Sequence, residues 1–237
     1  MGTSFKTAQG KLSIVATPIG NLEDITLRAL RTLKECDVIY AEDTRLTAKL
    51  LARYQIKKSL QRLDAITEIK KADEIIGRLE AGEHVALVSD AGTPGISDPG
   101  ARLVALVRRQ VKRSDLFTKI EAIPGPSALT AALSIVGIDS SMFTFIGFLP
   151  HKKGRQTALK KIAESELPVV LYESPHRILK LLKELSLHDR ARVTLAREMT
   201  KIHEEVISGT PADLALEFAT RPEKRRRGEF VVIVGSC

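Results

Sequence analysis

The sequence predicts an α/β protein built from two α/β domains, and three observations support this prediction. Short apolar segments typical of buried strands alternate with segments of helical spacing along the whole chain. Loops rich in Gly and Pro follow several of these apolar segments. The chain has 237 residues, enough for two small domains, and a polar stretch at 137–141 is the best boundary. We therefore expect domains at residues 1–137 and 138–237, each with a mostly parallel sheet.

In the first domain, strands and helices alternate from residue 11 onward. Strands are predicted at residues 11–16, 38–41, 85–88 and 120–123, and helices at 24–36, 44–54, 72–79, 103–107 and 128–136. Asp24 and Ser127 are the expected N-caps of the first and last of these helices. Residues 90–100 contain too much Gly and Pro for a helix or a strand, which indicates a long structured loop.

The second domain repeats this alternation. Strands are predicted near residues 143–148, 169–172, 193–196, 206–208 and 230–234, and helices near 155–164 and 175–185. Alternation of this kind is typical of layered α/β folds, in which ligands bind at loops outside the carboxyl ends of the strands.

Composition and charge limit the classes of protein that the chain can belong to. The formal net charge is +8, which favours a polyanionic partner such as nucleic acid, whereas aromatic residues are only 4%, so a surface of stacked bases is not expected. No apolar run approaches the roughly 20 residues that cross a bilayer, and no signal-type segment opens the chain. Cys36 and Cys237 cannot build a disulfide framework. We expect a soluble, cytoplasmic protein without a membrane association.

Several familiar catalytic patterns are missing from the sequence. It contains neither G-x-G-x-x-G nor the P-loop, neither H-E-x-x-H nor G-x-S-x-G. A classical dehydrogenase, an ATPase, a serine hydrolase and a metal site are therefore not expected. Three basic clusters raise the odds of phosphate contact, although solvated faces explain most charge runs. They are Arg108, Arg109, Lys112 and Arg113; Lys152, Lys153, Arg155, Lys160 and Lys161; and Arg221, Lys224, Arg225, Arg226 and Arg227.

Three loops in the first half follow strand ends, at residues 17–21, 89–100 and 124–127. Any one of them can be a plain tight turn, but three together favour a site for a small polar ligand. Charged segments follow strands at 42–45, 172–177 and 197–201. For Asp43 the simpler interpretation is a helix cap, and for the later segments it is an ion-pair network.

Seven segments with distinctive sequences follow one another along the chain. They are residues 16–22 (ATPIGNL), 41–45 (AEDTR), 88–94 (VSDAGTP) with 97–100 (SDPG), 124–127 (PGPS), 147–150 (GFLP), 172–177 (YESPHR) and 197–201 (REMTK). Together and in this order they resemble the ribosomal RNA small subunit methyltransferase I family, a branch of the tetrapyrrole methylase superfamily. The resemblance implies two α/β domains with S-adenosylmethionine in a cleft between them, a homodimer, and no metal. The implied reaction is 2'-O-methylation of a cytidine in the decoding region of 16S rRNA.

The resemblance also implies which residues bind the cofactor. Those of the first domain are Pro18, Asp90, Ala91, Gly92, Thr93, Ser97, Ser127 and Ala128, and those of the second are Tyr172, Ala196 and Gly228. Two departures stand out. A His-x-Asn-Glu stretch usual in the family is reduced to its Glu in residues 64–68, which puts any role of the His and Asn in doubt. The helical segment that often follows the last strand is also missing, so some RNA contacts are expected to be absent.

Transfer of a methyl group to a ribose hydroxyl requires alignment and a group that takes the hydroxyl proton. The candidates for this base are Asp43, Asp98, Glu173, Glu198 and Lys201, and the sequence does not rank them. Glu198 and Lys201 are three residues apart, so they can share a turn either as a catalytic pair or as a structural ion pair. Six arginines are assigned to RNA phosphates: Arg45, Arg177, Arg197, Arg225, Arg226 and Arg227.

Two other functions remain open at this point. Small tetrapyrroles carry carboxylates that arginines also bind, so methylation of such a substrate is the rival within the same fold, although the YESPHR and AEDTR segments favour RNA. A non-catalytic RNA-binding assembly factor is the rival from another class.

Overall fold

The contacts of the chain divide it into two units, residues 1–127 and residues 128–237. A computed structural model describes residues 9–111, 118–138, 141–187, 192–222 and 226–235. The division lies ten residues before the expected boundary at 137/138. The reason is helix α5 (Ala128–Ile135), which contacts strand β10 (Phe230–Gly235) of the second unit.

The first unit contains one sheet in which every pair of neighbouring strands is parallel. Its strands are β1 (Lys11–Val15), β2 (Val38–Ala41), β3 (Ser59–Arg62), β4 (His84–Val88) and β5 (Lys119–Ile123), in the order β3-β2-β4-β1-β5. Val15 is in register with Val88 and Ile123. The carboxyl ends of these three strands therefore meet at one edge of the sheet, and the loops that follow them lie together there.

In the described part of the first unit, four helices cover the two faces of this sheet. They are α1 (Leu27–Glu35), α2 (Thr44–Arg53), α3 (Glu68–Glu80) and α4 (Ala101–Val111). Leu33 of α1 and Leu50 of α2 share one core with Ile39, whereas Ile75 of α3 and Leu103 of α4 share the core on the other face. Each fully buried side chain of this kind contributes roughly 1.5–3 kcal/mol relative to an exposed one.

Two local features of the first unit differ from the expectations. Helix α1 begins after Thr26, whose hydroxyl accepts the N–H of Ala29 at 3.0 Å, so Thr26 is the N-cap and Asp24 is not. Asp24 belongs to a 3-10 turn, Leu22–Asp24, that precedes the helix. Strand β3 was not predicted because its sequence, SLQR, is polar and half exposed at the edge of the sheet.

The second unit contains a mixed sheet. Its strands are β6 (Thr144–Phe148), β7 (Val169–Glu173), β8 (Arg192–Arg197), β9 (Glu205–Gly209) and β10, in the order β6-β7-β10-β8-β9. Among the described strands of this unit, only β6 and β7 pair in parallel, so the expectation of a mostly parallel sheet is wrong for this unit. The chain between β8 and β9 is too short for the crossover that a parallel pair requires.

Helices α6 (Arg155–Ala163), α7 (Ile178–Leu185) and α8 (Pro211–Thr220) accompany this sheet, together with α5. Helix α7 begins three residues later than expected, and α8 was not predicted. Its N-cap is Thr210, whose hydroxyl accepts the N–H of Asp213 at 3.1 Å. In the core, the rings of Phe218 and Phe230 meet edge to face at 5.6 Å. Within the described ranges, no helix combines the length and the apolar character needed to cross a membrane.

Candidate functional site

A backbone bridge holds two of the predicted ligand loops together at the carboxyl edge of the first sheet. Thr17 and Gly92 exchange N–H···O bonds of 2.9 and 3.0 Å. The Thr17 hydroxyl donates to the Ser89 carbonyl at 3.0 Å, and the Ser89 hydroxyl donates to the Gly92 carbonyl at 3.0 Å. The loop 89–100 is therefore fixed against the loop 17–21.

Gly92 joins this arrangement to the third loop, residues 124–127. Its φ is +83°, in the left-handed region that favours glycine. A Cβ on Gly92 would lie 3.4 Å from Ile19 Cγ2 and 3.6 Å from the Pro126 carbonyl oxygen. The Thr93 hydroxyl donates to that same carbonyl at 3.3 Å. All three Gly- and Pro-rich loops thus come together around Gly92.

Glu68 fixes the far end of the loop 89–100. Its side chain is buried, and Oε1 accepts the N–H groups of Gly100 and Leu103, both at 2.9 Å. The carboxylate therefore satisfies free N–H groups at the start of α4, as a capping side chain does. Glu68 is the residue that remains of the family's His-x-Asn-Glu stretch. The sequence did not assign it this role because its partners lie more than 30 residues away in the chain.

Carboxylates concentrate at the same edge of the first unit. Asp90 Oδ1 accepts the N–H of Asp43 at 2.8 Å. Burial, reinforced by the negative charges of Glu42 and Asp90, raises the pKa of Asp98 to about 7. Burial and the charge of Asp90 also raise the pKa of Glu42. Such an edge favours a ligand that carries positive charge.

The raised pKa of Asp98 predicts a dependence of stability on pH. The folded state binds the Asp98 proton more tightly than the unfolded state, whose carboxyl keeps its ordinary value of 3.8. The stabilising contribution is therefore complete below pH 3.8 and is lost as the pH rises through 7. Asp98→Asn should leave Tm nearly unchanged at low pH and raise it by roughly 2–4 °C at pH 8. Calorimetric melting at both pH values measures this, and an equal Tm difference at the two would contradict it.

Asp43 and Arg45 form a local pair at the start of α2. The Asp43 carboxylate accepts the backbone N–H of Arg45 at 2.9 Å and its guanidinium at 3.0 Å. The hydrogen bonds from the Arg45 side chain and backbone hold the pKa of Asp43 well below its usual range. The capping interpretation of Asp43 is therefore confirmed, and Asp43 is a poor proton acceptor.

Lys201 lies between two carboxylates in the second unit. Its ammonium donates to Glu198 Oε1 and to Glu229 Oε2, both at 2.9 Å. Burial opposes both charges, but the mutual hydrogen bonds prevail, so the pKa of Glu198 is lowered and that of Lys201 is raised. The structural ion pair is therefore present, and at neutral pH Lys201 is an ammonium rather than a base.

The turn that carries this ion pair is conformationally unusual. Glu198 and Thr200 have φ values of 52° and 65°, which non-glycine residues rarely adopt. Glu198 donates its N–H to the Glu229 carbonyl at 2.9 Å, and Glu229 returns its N–H to Glu198 Oε1 at 3.0 Å. Gly228 has φ +128°, and a Cβ there would lie 2.5 Å from Glu198 Cγ. Only glycine fits at this position, which is one of the predicted cofactor residues.

Glu173 and Arg177 connect the ends of two strands. Arg177 Nε lies 2.7 Å from Glu173 Oε1 at the end of β7, and Nη1 donates to the Leu149 carbonyl just beyond β6 at 3.1 Å. The Glu173 side chain is fully buried, and its Oε2 has no partner among the described residues. Next to it, the ring of Tyr172 packs against Phe145 and Phe148 at 5.0 and 5.5 Å.

Three arginines that the sequence singled out, Arg197 and the cluster residues Arg155 and Arg221, are engaged inside the second unit. Arg197 is 5% exposed and donates to the carbonyls of Arg227 and His203. Arg155 binds the Glu184 carboxylate, and Arg221 binds that of Glu205 through both Nη atoms at 2.8 Å. These three guanidinium groups are therefore held by hydrogen-bond and salt-bridge partners within the second unit.

The remaining predicted site residues differ in their exposure to solvent. Exposed ones are Asp90, Ala91, Ser97 and Arg227; half-buried ones are Pro18, Thr93, Ser127, Ala128, Tyr172, Gly228 and Arg226; Gly92 and Ala196 are buried. Arg225, with Lys112, Arg113 and Lys224 of the basic clusters, lies outside the described residues. Among the residues with described positions, no three of His, Cys, Asp and Glu are grouped as a metal site requires.

Comparison with known proteins agrees with this architecture. Residues 11–215 match the family model of the Tetrapyrrole (Corrin/Porphyrin) Methylases. Among solved structures, a cobalt precorrin-4 methyltransferase of cobalamin biosynthesis has a TM-score of 0.68 at 20% identity, covering 99% of this chain and 98% of its own. A diphthine synthase has a TM-score of 0.70 at 16% identity, covering 95% and 90%. These likenesses establish a shared fold.

Curated relatives are much closer in sequence. A ribosomal RNA small subunit methyltransferase I of Thermotoga maritima is 44% identical over 226 residues, which are 95% of this chain and 98% of that protein. A protein of the same description from Xylella fastidiosa is 47% identical over 228 residues, or 95% and 81% of the two chains. The chain therefore belongs to the tetrapyrrole methylase family and, within it, to the ribosomal RNA small subunit methyltransferase I family.

Proposed function

We propose that this protein uses S-adenosylmethionine to methylate the 2'-oxygen of a cytidine in the decoding region of 16S rRNA. The observation that carries the proposal is the 44% identity to a small-subunit rRNA methyltransferase I along nearly the full length of both chains. A small ribosomal subunit as substrate places the reaction in the cytoplasm. The homodimer implied by the family stays a prediction, which analytical ultracentrifugation can test.

The first unit fits the cofactor in charge and in backbone geometry. S-adenosylmethionine carries an ammonium and a sulfonium, and it supplies an activated methyl group when bound. Asp90 and Glu42 give the carboxyl edge negative charge that suits such a ligand. Gly92, buried and left-handed, lets the backbone of the loop 89–100 approach a ligand without an intervening side chain. In the second unit, Tyr172 and Gly228 are the proposed contacts.

Asp98 is the best-suited base among the five candidates. A general base works best when its pKa lies near the operating pH, and the pKa of Asp98 is about 7. Asp43 is paired with Arg45, and Glu198 is paired with Lys201. Glu173 is buried against Arg177. We therefore propose that Asp98 accepts the proton of the ribose hydroxyl and that the other four candidates have positioning roles.

A methyl-transfer assay on small ribosomal subunits tests the proposal. Subunits whose 16S rRNA lacks the modification are incubated with the protein and radiolabelled S-adenosylmethionine, and the rRNA is then hydrolysed in alkali. Because alkaline cleavage needs a free 2'-hydroxyl, a 2'-O-methylated cytidine remains in an uncleaved, labelled dinucleotide. Label on a base or on a tetrapyrrole acceptor would overturn the proposed substrate. Binding to subunits without any transfer would favour an assembly factor.

Replacement of Lys201 separates structure from chemistry at the ion pair. The ammonium has no lone pair to accept a proton, so Lys201→Ala should lower the rate at saturating cofactor and RNA by less than about tenfold. Tm should fall by roughly 2–4 °C because two carboxylates lose their partner. Single-turnover kinetics and melting measure the two effects. A rate loss of about 10²-fold or more with Tm unchanged would contradict this and would indicate that Lys201 takes part in the reaction.

A further inference from the structure

The outer face of helices α1 and α2 carries six exposed cations, and this face is distinct from the three basic clusters seen in the sequence. The cations are Arg28, Arg31 and Lys34 on α1, and Arg45, Lys49 and Arg53 on α2. Glu35 is the exposed carboxylate of the two helices. We call this surface the α1–α2 face.

The cations of α2 form a line along one side of the helix. Arg45, Lys49 and Arg53 are spaced four residues apart, so they follow one another at about 6 Å along the helix axis. Lys49 and Arg53 have no salt bridge to another residue in the described ranges, whereas Arg45 is paired with Asp43. Two of the three charges are thus available to a partner.

The two helices present their cations on one surface because they share one face of the first sheet. Ala29 and Leu33 of α1 and Leu50 and Leu51 of α2 are buried in the same core. The Tyr54 hydroxyl just beyond α2 donates to the Leu22 carbonyl ahead of α1 at 2.5 Å. Both helices begin after strands of a parallel sheet, so both start at the carboxyl edge that holds Gly92 and Asp98. The positive surface therefore extends outward from the candidate cofactor site.

The opposite face of the same sheet differs in charge. Helix α3 carries exposed carboxylates at Asp73, Glu74 and Glu80, whereas α4 carries the exposed cations Arg102, Arg108 and Arg109 and no carboxylate. Glu74 also accepts the Tyr40 hydroxyl at 2.7 Å, and Glu80 accepts a hydrogen bond from Gln110 at 3.2 Å. Taken as a pair, the helices of the opposite face thus combine cations with three exposed carboxylates, whereas the α1–α2 face carries six exposed cations and one exposed carboxylate, Glu35.

We propose that the α1–α2 face binds the phosphate backbone of the RNA substrate and guides it to the carboxyl edge of the first sheet. The proposal rests on the proposed function for the identity of the RNA. Charge complementarity supports it, since exposed Lys and Arg, of which Arg45 alone forms a salt bridge within the described ranges, match the charge of a polyphosphate chain. Leu27 and Leu46 are also exposed on this face, but two leucines bury far less than the roughly 800 Å² per partner of a stable dimer.

Two matched double variants test this assignment. Lys49→Ala with Arg53→Ala removes two cations from the α1–α2 face, and Arg108→Ala with Arg109→Ala removes two from the last turn of α4 on the opposite face. Both variants lose the same net charge from exposed helical positions of the same unit. Binding to small ribosomal subunits with unmodified 16S rRNA is measured between 50 and 300 mM salt, on the order of the range in which phosphate contacts change affinity most. Cofactor affinity and Tm serve as controls for folding.

The α2 variant should bind about tenfold more weakly at 0.1 M salt, and its log–log salt slope should be shallower by about 1.4–1.8. The α4 variant should keep the wild-type slope, and both should keep cofactor affinity and Tm. Equal losses in the two variants, or no loss in either, would overturn the assignment. A change of oligomeric state in the α2 variant would instead make this face a contact between copies and would also overturn it.

The outcomes for this surface and for the proposed function can be told apart. If the wild-type protein methylates the ribose but the two variants bind alike, the surface assignment fails and the function stands. If no methyl transfer occurs but the α2 variant alone loses RNA affinity, the surface stands and the catalytic proposal fails.

Discussion

Asp98→Asn should lower the rate of methyl transfer by about 10²–10³ at pH 8 while cofactor binding is retained. The amide has nearly the shape of the carboxylate but cannot accept the ribose proton. In the wild type, log kcat should rise with slope 1 below pH 7 and level off above it, because the pKa of Asp98 is about 7. The variant should lose this pH dependence. Rates at saturating substrates between pH 5.5 and 9 measure both effects.

Glu42→Gln provides the matched control for Asp98. Its carboxylate raises the pKa of Asp98 through charge repulsion, so its neutralisation should move the inflection of the pH profile to lower pH and keep the plateau rate. An inflection that stays near pH 7 would show that the titrating group is not Asp98.

A different outcome for Asp98→Asn would contradict its role as the base. If this variant raises KM for the cofactor at an unchanged kcat, Asp98 binds the ligand and does not accept the proton.

Gly92→Ala should weaken S-adenosylmethionine binding by at least about tenfold, and Gly92→Val should abolish it. Any L side chain at φ +83° is strained by roughly 1–2 kcal/mol. Relief of this strain requires a backbone rotation, which disrupts the paired hydrogen bonds with Thr17 and moves the loop 89–100. A Cβ alone would make only ordinary contacts with Ile19 and Pro126, whereas the further methyl groups of Val extend beyond that space. Calorimetric titration measures the affinity, with one cofactor expected per chain.

Gly137→Ala is the control for backbone strain alone. Gly137 has φ +70°, and nothing lies within 4 Å of a Cβ built there. Both variants should therefore carry similar backbone strain, but only the Gly92 variant should lose cofactor affinity. Equal affinities in the two variants would exclude the loop 89–100 from the cofactor site.

The pattern of apolar residues was sufficient to predict four of the five described strands of the first unit, but not the polar strand β3. Residues 85–88 are apolar on both faces, as strands covered by helices on both sides require. The second sheet could not be predicted in the same way, because strands of a mixed sheet carry the same apolar pattern as parallel ones. The relative direction of β8 and β9 depends on the length of the connection between them. The direction of β10 depends on its pairing with β7 on one side and β8 on the other.

The Gly- and Pro-rich loops of the candidate site could be predicted from the sequence, whereas the roles of its charged residues could not. The loops around Gly92 follow strand ends in the sequence and meet in the structure. Charged residues gave weaker signals, because sequence does not show which cations are paired. Arg155 and Arg221 were grouped with surface clusters, yet each is engaged by a distant carboxylate. Of the α2 cations, Arg45 was predicted to contact RNA, but Lys49 and Arg53 were overlooked because the three are four residues apart rather than adjacent.

The position of β10 determines the order in which the two halves can form during synthesis. All strands of the first sheet come from residues 11–123, so that sheet can be completed while the rest of the chain is still being translated. The second sheet must wait for Phe230–Gly235, because this strand joins β7 to β8 in its centre. Until it is released from the ribosome, the pairs β6–β7 and β8–β9 have unsatisfied edges. A nascent chain stalled before residue 230 should therefore carry a finished first unit and a second unit that recruits chaperones.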